Sequence, residues 1–167
     1  MKVSNNRRWS ALLLIAGICA FAIYGYGLWR ILYGDRGSRW LDASLTEYFL
    51  QFSNLIPFHT IYDYITKIMN GSGNPVIVIR NLLGNLVMLL PMGLFLPFFF
   101  PKERNGKIFG ITMFLMILTI ECSQILLRNG SFDVDDFILG LAGAFLGFWI
   151  WNAKWFQRIL DRTTGYA

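Results

Sequence analysis

Four long stretches with almost no charged residues constrain this chain more than any other feature of its sequence. Trp9–Trp29, Asn81–Pro101 and Phe137–Ala153 contain no Lys, Arg, Asp or Glu, and Ile108–Leu127 contains only Glu121. A hydrocarbon core of roughly 30 Å needs about 20 residues of helix to span it. A chain of 167 residues is too short to bury four such helices inside a soluble shell. We therefore predict an all-α membrane protein with four transmembrane helices.

The composition agrees with lipid as the solvent. Charged residues make up 15% of the chain, against about 25% in a typical soluble domain. The aromatic content of 17% excludes intrinsic disorder, and two cysteines exclude a disulfide-stapled scaffold. The first apolar run is longer than the core of a usual signal peptide, so we expect an uncleaved anchor. The predicted spans cover about residues 9–32, 76–100, 107–127 and 136–153 of a single domain, residues 1–167.

The basic residues predict the orientation of the chain. Cytoplasmic segments of membrane proteins carry an excess of Lys and Arg. With both termini cytoplasmic, nine of the fifteen basic residues lie in short inner segments, and eight of the ten acidic residues lie on or near the outer side. The positive net charge is thus a topology signal, and nucleic acid is not expected as a partner. The inner basic residues are Lys2, Arg7, Arg8, Lys102, Arg104, Lys107, Lys154, Arg158 and Arg162.

The outer connection of residues 33–75 is long for a structureless loop. Ser44 and Glu47 have the spacing of a capping box, which predicts a helix over about residues 44–52. Residues 58–69 carry an apolar stripe at helical spacing, with His59, Asp63 and Lys67 opposite it. Two interpretations remain open: the stripe lies in the membrane interface, or it packs on the helix bundle. In the second span, prolines 91, 97 and 101 are expected to kink and end the helix.

Polar residues inside the spans are the candidates for a site. Asn81 and Asn85 share a face of the second span, after Arg80. Glu121, Gln124 and Arg128 share a face of the third span, and Asp133, Asp135 and Asp136 open the fourth. From the helical rise of 1.5 Å per residue, all of these groups lie in the outer half of the membrane. A buried carboxylate needs partners there, so we expect these groups to meet.

Three interpretations of this cluster compete. In the first, its members hydrogen-bond one another and so fix the packing of the helices. In the second, they form a binding or catalytic pocket that opens to the outer leaflet. A metal site is the third, and the spacing argues against it because the Gly and terminal Glu of a calcium loop are missing. We predict neither a metal nor a cofactor. Glycines 140, 143 and 147 are expected to let the fourth helix approach its neighbours closely.

Several sequence blocks, in order, resemble the VanZ-like family of membrane proteins. They are Asn54-Leu-Ile-Pro-Phe58, Arg80-Asn-Leu-Leu-Gly-Asn85 running to Pro91-Met-Gly93, Glu121-x-x-Gln124 with Arg128, and Asp133-x-Asp-Asp136. Two departures are Gly140, where the family often has Asn, and Leu89, where an aromatic residue is common. The first removes one polar group from the predicted pocket.

The resemblance implies a small, multi-pass protein of the bacterial plasma membrane. The family's founding relative is associated with reduced susceptibility to teicoplanin-type lipoglycopeptides. Carried over by position, the family's motif residues predict a ligand-binding set. It consists of Asn54, Arg80, Asn81, Asn85, Glu121, Gln124, Arg128, Asp133, Asp135 and Asp136.

The expected ligand is an envelope lipid, a lipid-linked envelope precursor or the antibiotic itself. Arg80 and Arg128 would hold anionic groups, Asn81 and Asn85 would orient them, and the acids would balance charge or bind cationic groups. An enzyme acting on a lipid-linked substrate, with Glu121 or Asp136 as general base, is an alternative. A structural subunit of an envelope complex is a further one.

Overall fold

A computed structural model describes residues 2–34 and 42–164, with side chains for 11–34 and 42–161. The part of the outer connection that includes Arg36 and Arg39 lies outside the described residues. The described chain is almost entirely helical. Its elements are α1 (Lys2–Tyr33), α2 (Leu45–Phe52), β1 (Ser53–Asn54), α3 (His59–Met69), α4 (Pro75–Met88), α5 (Met92–Phe99), a 3₁₀ turn (Pro101–Arg104), α6 (Gly106–Leu126), β2 (Phe132–Asp133), α7 (Val134–Asn152) and α8 (Lys154–Thr164).

Four segments are long and apolar enough to cross a membrane, which confirms the predicted number of spans. These candidate spans are Ala11–Tyr33, Pro75–Phe99, Gly106–Leu126 and Val134–Asn152. We call the end of the bundle that carries residues 42–74 and 127–133 the loop side. The opposite end, which carries residues 100–105 and α8, is the terminal side.

The second span is broken into α4 and α5 at Leu89–Pro91. Pro91 has no N–H, so the backbone cannot continue its regular hydrogen bonds through this point. The N–H of Met92 donates to Leu89 O, which leaves the carbonyl of Met88 without its usual helical partner. The hydroxyl of Tyr24 on α1 donates to that carbonyl at 2.8 Å. The kink predicted at Pro91 is therefore a break that ties the span to α1.

Helix α7 is the centre of the bundle and contacts α4, α5 and α6. Small residues make these contacts close, because a Cβ on Gly143 would overlap the carbonyl oxygen of Leu86. A Cβ on Gly147 would overlap Leu90 O in the same way. The close approach predicted for the fourth span is confirmed at these positions. The apolar core beside them consists of Leu89, Met92, Phe109, Met113, Ile117, Ala144 and Phe148.

Both helices predicted in the outer connection are present, as α2 and α3. The capping box is formed: Glu47 N–H donates to Ser44 Oγ, and Ser44 N–H donates back to the Glu47 carboxylate. Two features were not predicted. A short parallel bridge pairs Ser53 with Phe132 and Asn54 with Asp133, and two-residue strands are too short to give a periodic signal. Helix α8 follows the fourth span, where the basic residues were interpreted only as a topology signal.

Candidate functional site

Glu121 and Gln124 project from one face of α6, near its loop-side end. They lie one turn apart, and both are buried, with 6% and 5% of their surface exposed. The Glu121 carboxylate accepts a hydrogen bond from Asp133 N–H at 3.3 Å. The Gln124 carboxamide donates to the carbonyl of Leu32, at the end of α1, at 3.4 Å. The third span thus brings a carboxylate and a carboxamide into the centre of the bundle.

Asn85 and Asp136 supply a second carboxamide and a second carboxylate. Asn85 lies on α4 and Asp136 on the first turn of α7, and the Asn85 side-chain amide donates to Asp136 Oδ1. The two residues are 51 positions apart in the sequence. The close α4–α7 packing at Gly143 and Leu86 brings them together.

These four side chains line one cavity between α1, α4, α6 and α7. We call Asn85, Glu121, Gln124 and Asp136 the cavity cluster. The volume is about 70 Å³, whereas pockets for drug-sized ligands measure about 300–1,000 Å³. A cavity of this size accommodates one small functional group of a ligand. Its other lining residues include Ile31, Leu32, Met88, Leu89, Ile117 and Ser131.

Asp133 lies outside this cavity and fastens the outer connection to the start of α7. Its carboxylate accepts hydrogen bonds from Asn54 Nδ2 at 3.2 Å and from Thr60 Oγ1 at 2.7 Å. Its Oδ1 also accepts from Asp135 N–H at 2.9 Å, the geometry of a helix N-cap. Asp133 therefore caps α7 and binds α3 and β1 at once.

Asp135 caps α3 from a different helix. Phe58, the N-cap residue before α3, has a left-handed φ of 65°, and its side chain makes no capping hydrogen bond. The Asp135 carboxylate accepts from Phe58 N–H and, at 3.0 Å, from Ile61 N–H. Asp135 is completely buried, and its two carboxylate oxygens satisfy N–H groups at the start of α3 that have no partner within that helix.

Seven of the ten predicted site residues thus fall into two groups. Beside the cavity cluster lies the clamp, which we define as Asn54, Thr60, Asp133 and Asp135. The Asp133 backbone N–H, bonded to Glu121, joins the two groups. The other predicted residues do not line the cavity. Asn81 donates to Tyr64 OH on α3 at 2.8 Å, Arg80 is exposed on α4, and Arg128 follows α6 with φ of 51°.

Sequence reasoning missed several partners of these residues. Thr60 and Tyr64 lie on α3, and neither has a local sequence pattern that identifies it as a hydrogen-bond partner of a site residue. The Leu32 carbonyl and Ser131 have no such pattern either. Only the hydrogen bonds across the fold identify them. In the part of the chain that the structure describes, no three His, Cys, Asp or Glu side chains are grouped to hold a metal ion.

The fold defines an all-helical, multi-pass membrane protein, and the cavity cluster places polar side chains between its apolar helices. The family described as VanZ/LLP1 matches residues 12–157, which is most of the chain, and the protein belongs to that family. The resemblance seen in the sequence blocks is therefore confirmed. No curated protein and no solved structure matches the chain.

Proposed function

We propose that this VanZ-family protein lowers the susceptibility of a bacterium to teicoplanin-type lipoglycopeptides. It does so by holding one polar group of an envelope lipid, a lipid-linked precursor or the drug in its cavity. The observation that supports this most directly is the convergence of two carboxylates and two carboxamides on one small cavity. Polar groups are expensive inside a membrane protein, and they mark functional sites by default.

The chemistry of the cavity cluster selects the kind of group that enters. Glu121 and Asp136 offer acceptor oxygens, so an ammonium or a hydroxyl group is a better occupant than a phosphate. The small volume admits that group and leaves the rest of the ligand outside. Arg80, exposed in the second turn of α4, is placed to contact a lipid phosphate at the loop side. A single ligand that carries a phosphate together with a hydroxyl or amine therefore contacts Arg80 through the phosphate and the cavity cluster through the other group.

The proposed location is the bacterial plasma membrane, with both termini in the cytoplasm. In this orientation the loop side faces the outer leaflet, where the antibiotic and the envelope precursors are. The distribution of Lys and Arg supports it, with Lys102 and Lys107 exposed at the terminal side.

Helix α3 completes the loop side as an interfacial helix. Its apolar stripe is uncovered: Tyr62 and Met69 expose 70% and 80% of their surface, and no residue of α3 is buried. An amphipathic helix of this kind lies in the membrane plane with its apolar face in lipid. The clamp fixes the N-terminal end of α3 beside the cavity, so α3 borders the entrance for a ligand from the outer leaflet.

The test removes one cavity charge at a time. Glu121→Gln keeps an oxygen that accepts from Asp133 N–H, and Asp136→Asn keeps one that accepts from Asn85. In a susceptible host, both variants should lose teicoplanin protection down to the level of cells with an empty vector. Protein amounts in the membrane and thermal unfolding in detergent are measured for each variant, so that protection is compared at equal levels of folded protein.

Asp63→Asn is the matched control. Asp63 also lies at the loop side, pairs with Lys67 at 2.6 Å and is half-exposed, so this variant removes one acid without touching the cavity. It should protect as well as the parent. Full protection by both cavity variants at equal membrane levels would contradict the proposal.

The same two carboxylates support an enzyme as the second candidate function. Both catalytic candidates, Glu121 and Asp136, line the cavity, and a pair of acids in one site is suited to general acid–base catalysis. The substrate would be a lipid-linked envelope compound. Turnover of a labelled precursor in proteoliposomes, abolished in Glu121→Gln, is the expected result; no turnover by the parent protein would rule this candidate out.

A further inference from the structure

Helix α8 has an exposed surface at the terminal side that is separate from the cavity and from the membrane-spanning helices. The fourth span ends at Asn152, Ala153 adopts an extended conformation, and α8 starts at once with Lys154. The 19 residues of α7 are about 28 Å long, close to the thickness of a hydrocarbon core. Helix α8 therefore begins where the membrane boundary falls. Helix α8 contacts α1 as well as α7, so it is held against the end of the bundle.

One face of α8 is fastened to the bundle. Phe156 packs against Trp151 with ring centroids 5.9 Å apart, and Gln157 Nε2 donates to Trp151 O. Leu160, one turn after Phe156, is half-buried on the same face. These contacts fix how the helix is rotated about its axis, and so they decide which residues face away from the protein.

The outward faces combine apolar and basic residues in adjacent rows. Trp155 and Ile159, one turn apart, expose 57% and 53% of their surface. Lys154 and Arg158, also one turn apart, are exposed in the next row around the helix. Exposed Trp beside basic residues is typical of helices that lie at the boundary between acyl chains and head groups.

We propose that α8 binds anionic phospholipid in the leaflet at the terminal side. Trp155 and Ile159 insert among the upper acyl chains, and Lys154 and Arg158 contact the lipid phosphates. Charge complementarity favours this partner, since Lys102 and Lys107 are exposed at the same end of the bundle and extend the positive surface. Each basic residue near an anionic surface strengthens its attraction roughly fivefold.

The experiment measures lipid selectivity at Trp155 in the full-length protein. The protein is reconstituted in vesicles of dibrominated phosphatidylglycerol or dibrominated phosphatidylcholine, and tryptophan quenching is recorded. The difference between the parent and Trp155→Phe isolates the signal of Trp155. We expect quenching by both lipids and a relative binding constant that favours the anionic one. That preference should fall roughly fivefold in Lys154→Gln or in Arg158→Gln, and further in the double variant.

The controls separate this surface from the rest of the protein. Lys67→Gln removes one positive charge at the loop side and should leave the selectivity unchanged. Asp63→Asn removes a half-exposed acid that lies away from both the cavity and α8, and it should also leave the selectivity unchanged. Absence of quenching by either lipid would mean that protein covers Trp155. Equal selectivity in the parent and the double variant would mean that the basic row binds no lipid. Either outcome overturns the proposal.

Discussion

Asp135 and Asp136 are neighbours in the sequence, but they serve different parts of the molecule. The Asp135 carboxylate is fully buried and bonds two backbone N–H groups of α3, whereas Asp136 faces the cavity and bonds Asn85. Consecutive residues on a helix point in directions about 100° apart, so adjacent acids meet different neighbours. Loss of Asp135 is therefore expected to affect stability first, and loss of Asp136 to affect ligand binding first.

Asp135→Ala should destabilise the protein by about 2 kcal/mol, as expected for the loss of a helix cap. Hydrogen exchange of the backbone amides at the start of α3 should become faster, because Phe58 N–H and Ile61 N–H lose their acceptor. Unfolding in detergent and exchange followed by mass spectrometry are the measurements. Asp135→Asn keeps one acceptor oxygen and should lie between the parent and the Ala variant. A fully stable Ala variant would show that the cap is dispensable.

The Glu47 carboxylate makes the stability of the start of α2 depend on pH. The backbone N–H of Ser44 at 2.7 Å, and then its hydroxyl, hold the pKa of the Glu47 carboxyl below its ordinary range. Because the pKa of Glu47 is lower in the folded state than in the unfolded state, the ionised carboxylate stabilises the fold. This stabilisation is fully present at pH values above the unfolded-state pKa. It is lost as the pH falls through the folded pKa.

Carbon NMR titration of Glu47 should show that lowered pKa. In Ser44→Ala the pKa should rise part of the way back, since the backbone donor remains and the hydroxyl is gone. An identical titration in both proteins would mean that the hydroxyl plays no part.

At the scale of elements, the glycines of α7 decide how closely α4 can approach. Gly143 lets the Leu86 carbonyl come into contact with the α7 backbone, and the neighbouring Asn85 bonds Asp136 of α7. Packing of small residues replaces the hydrophobic effect as the main source of helix association in lipid. The same contact therefore maintains both the fold and the cavity.

Gly143→Ala should reduce the free energy of unfolding by about 1–3 kcal/mol, the usual cost of overpacking. The measurement is thermal unfolding in detergent micelles. Gly25→Ala on α1 is the control, because nothing lies within 4 Å of its added Cβ. That variant should be neutral or slightly stabilising, since Ala favours helix over Gly. If Gly143→Ala is as stable as Gly25→Ala, the close approach of α4 and α7 contributes little.

At the scale of the whole molecule, the proposed orientation is testable by chemical labelling. With Cys19 and Cys122 replaced by Ser, a Ser72→Cys protein should react in intact cells with a maleimide that cannot cross the membrane. A Lys102→Cys protein should react only after the cells are permeabilised. Both positions are exposed, and they lie at opposite ends of the bundle. The reverse result would place the cavity in the cytoplasmic half of the membrane.

The sequence alone determined the four long apolar helices, the capping box of α2 and the family. These features depend on local quantities: the transfer free energy of about twenty consecutive residues, hydrogen bonds between residues three apart, and short motifs. The residues of the candidate site were also visible as polar groups inside apolar runs, because lipid excludes such groups unless the fold pairs them.

Only the tertiary structure decided which of those polar residues belong to the cavity cluster and which belong to the clamp. Asn54 and Asp133 are 79 positions apart, and nothing in the local pattern assigns them to the clamp and Asp136 to the cavity. The bridge between β1 and β2, the bond from Tyr24 to the broken second span and the docking of α8 depend in the same way on distant segments. The physical reason is that partition into lipid is a sum over neighbouring residues, whereas pairing inside the bundle depends on how the helices are placed and rotated against one another.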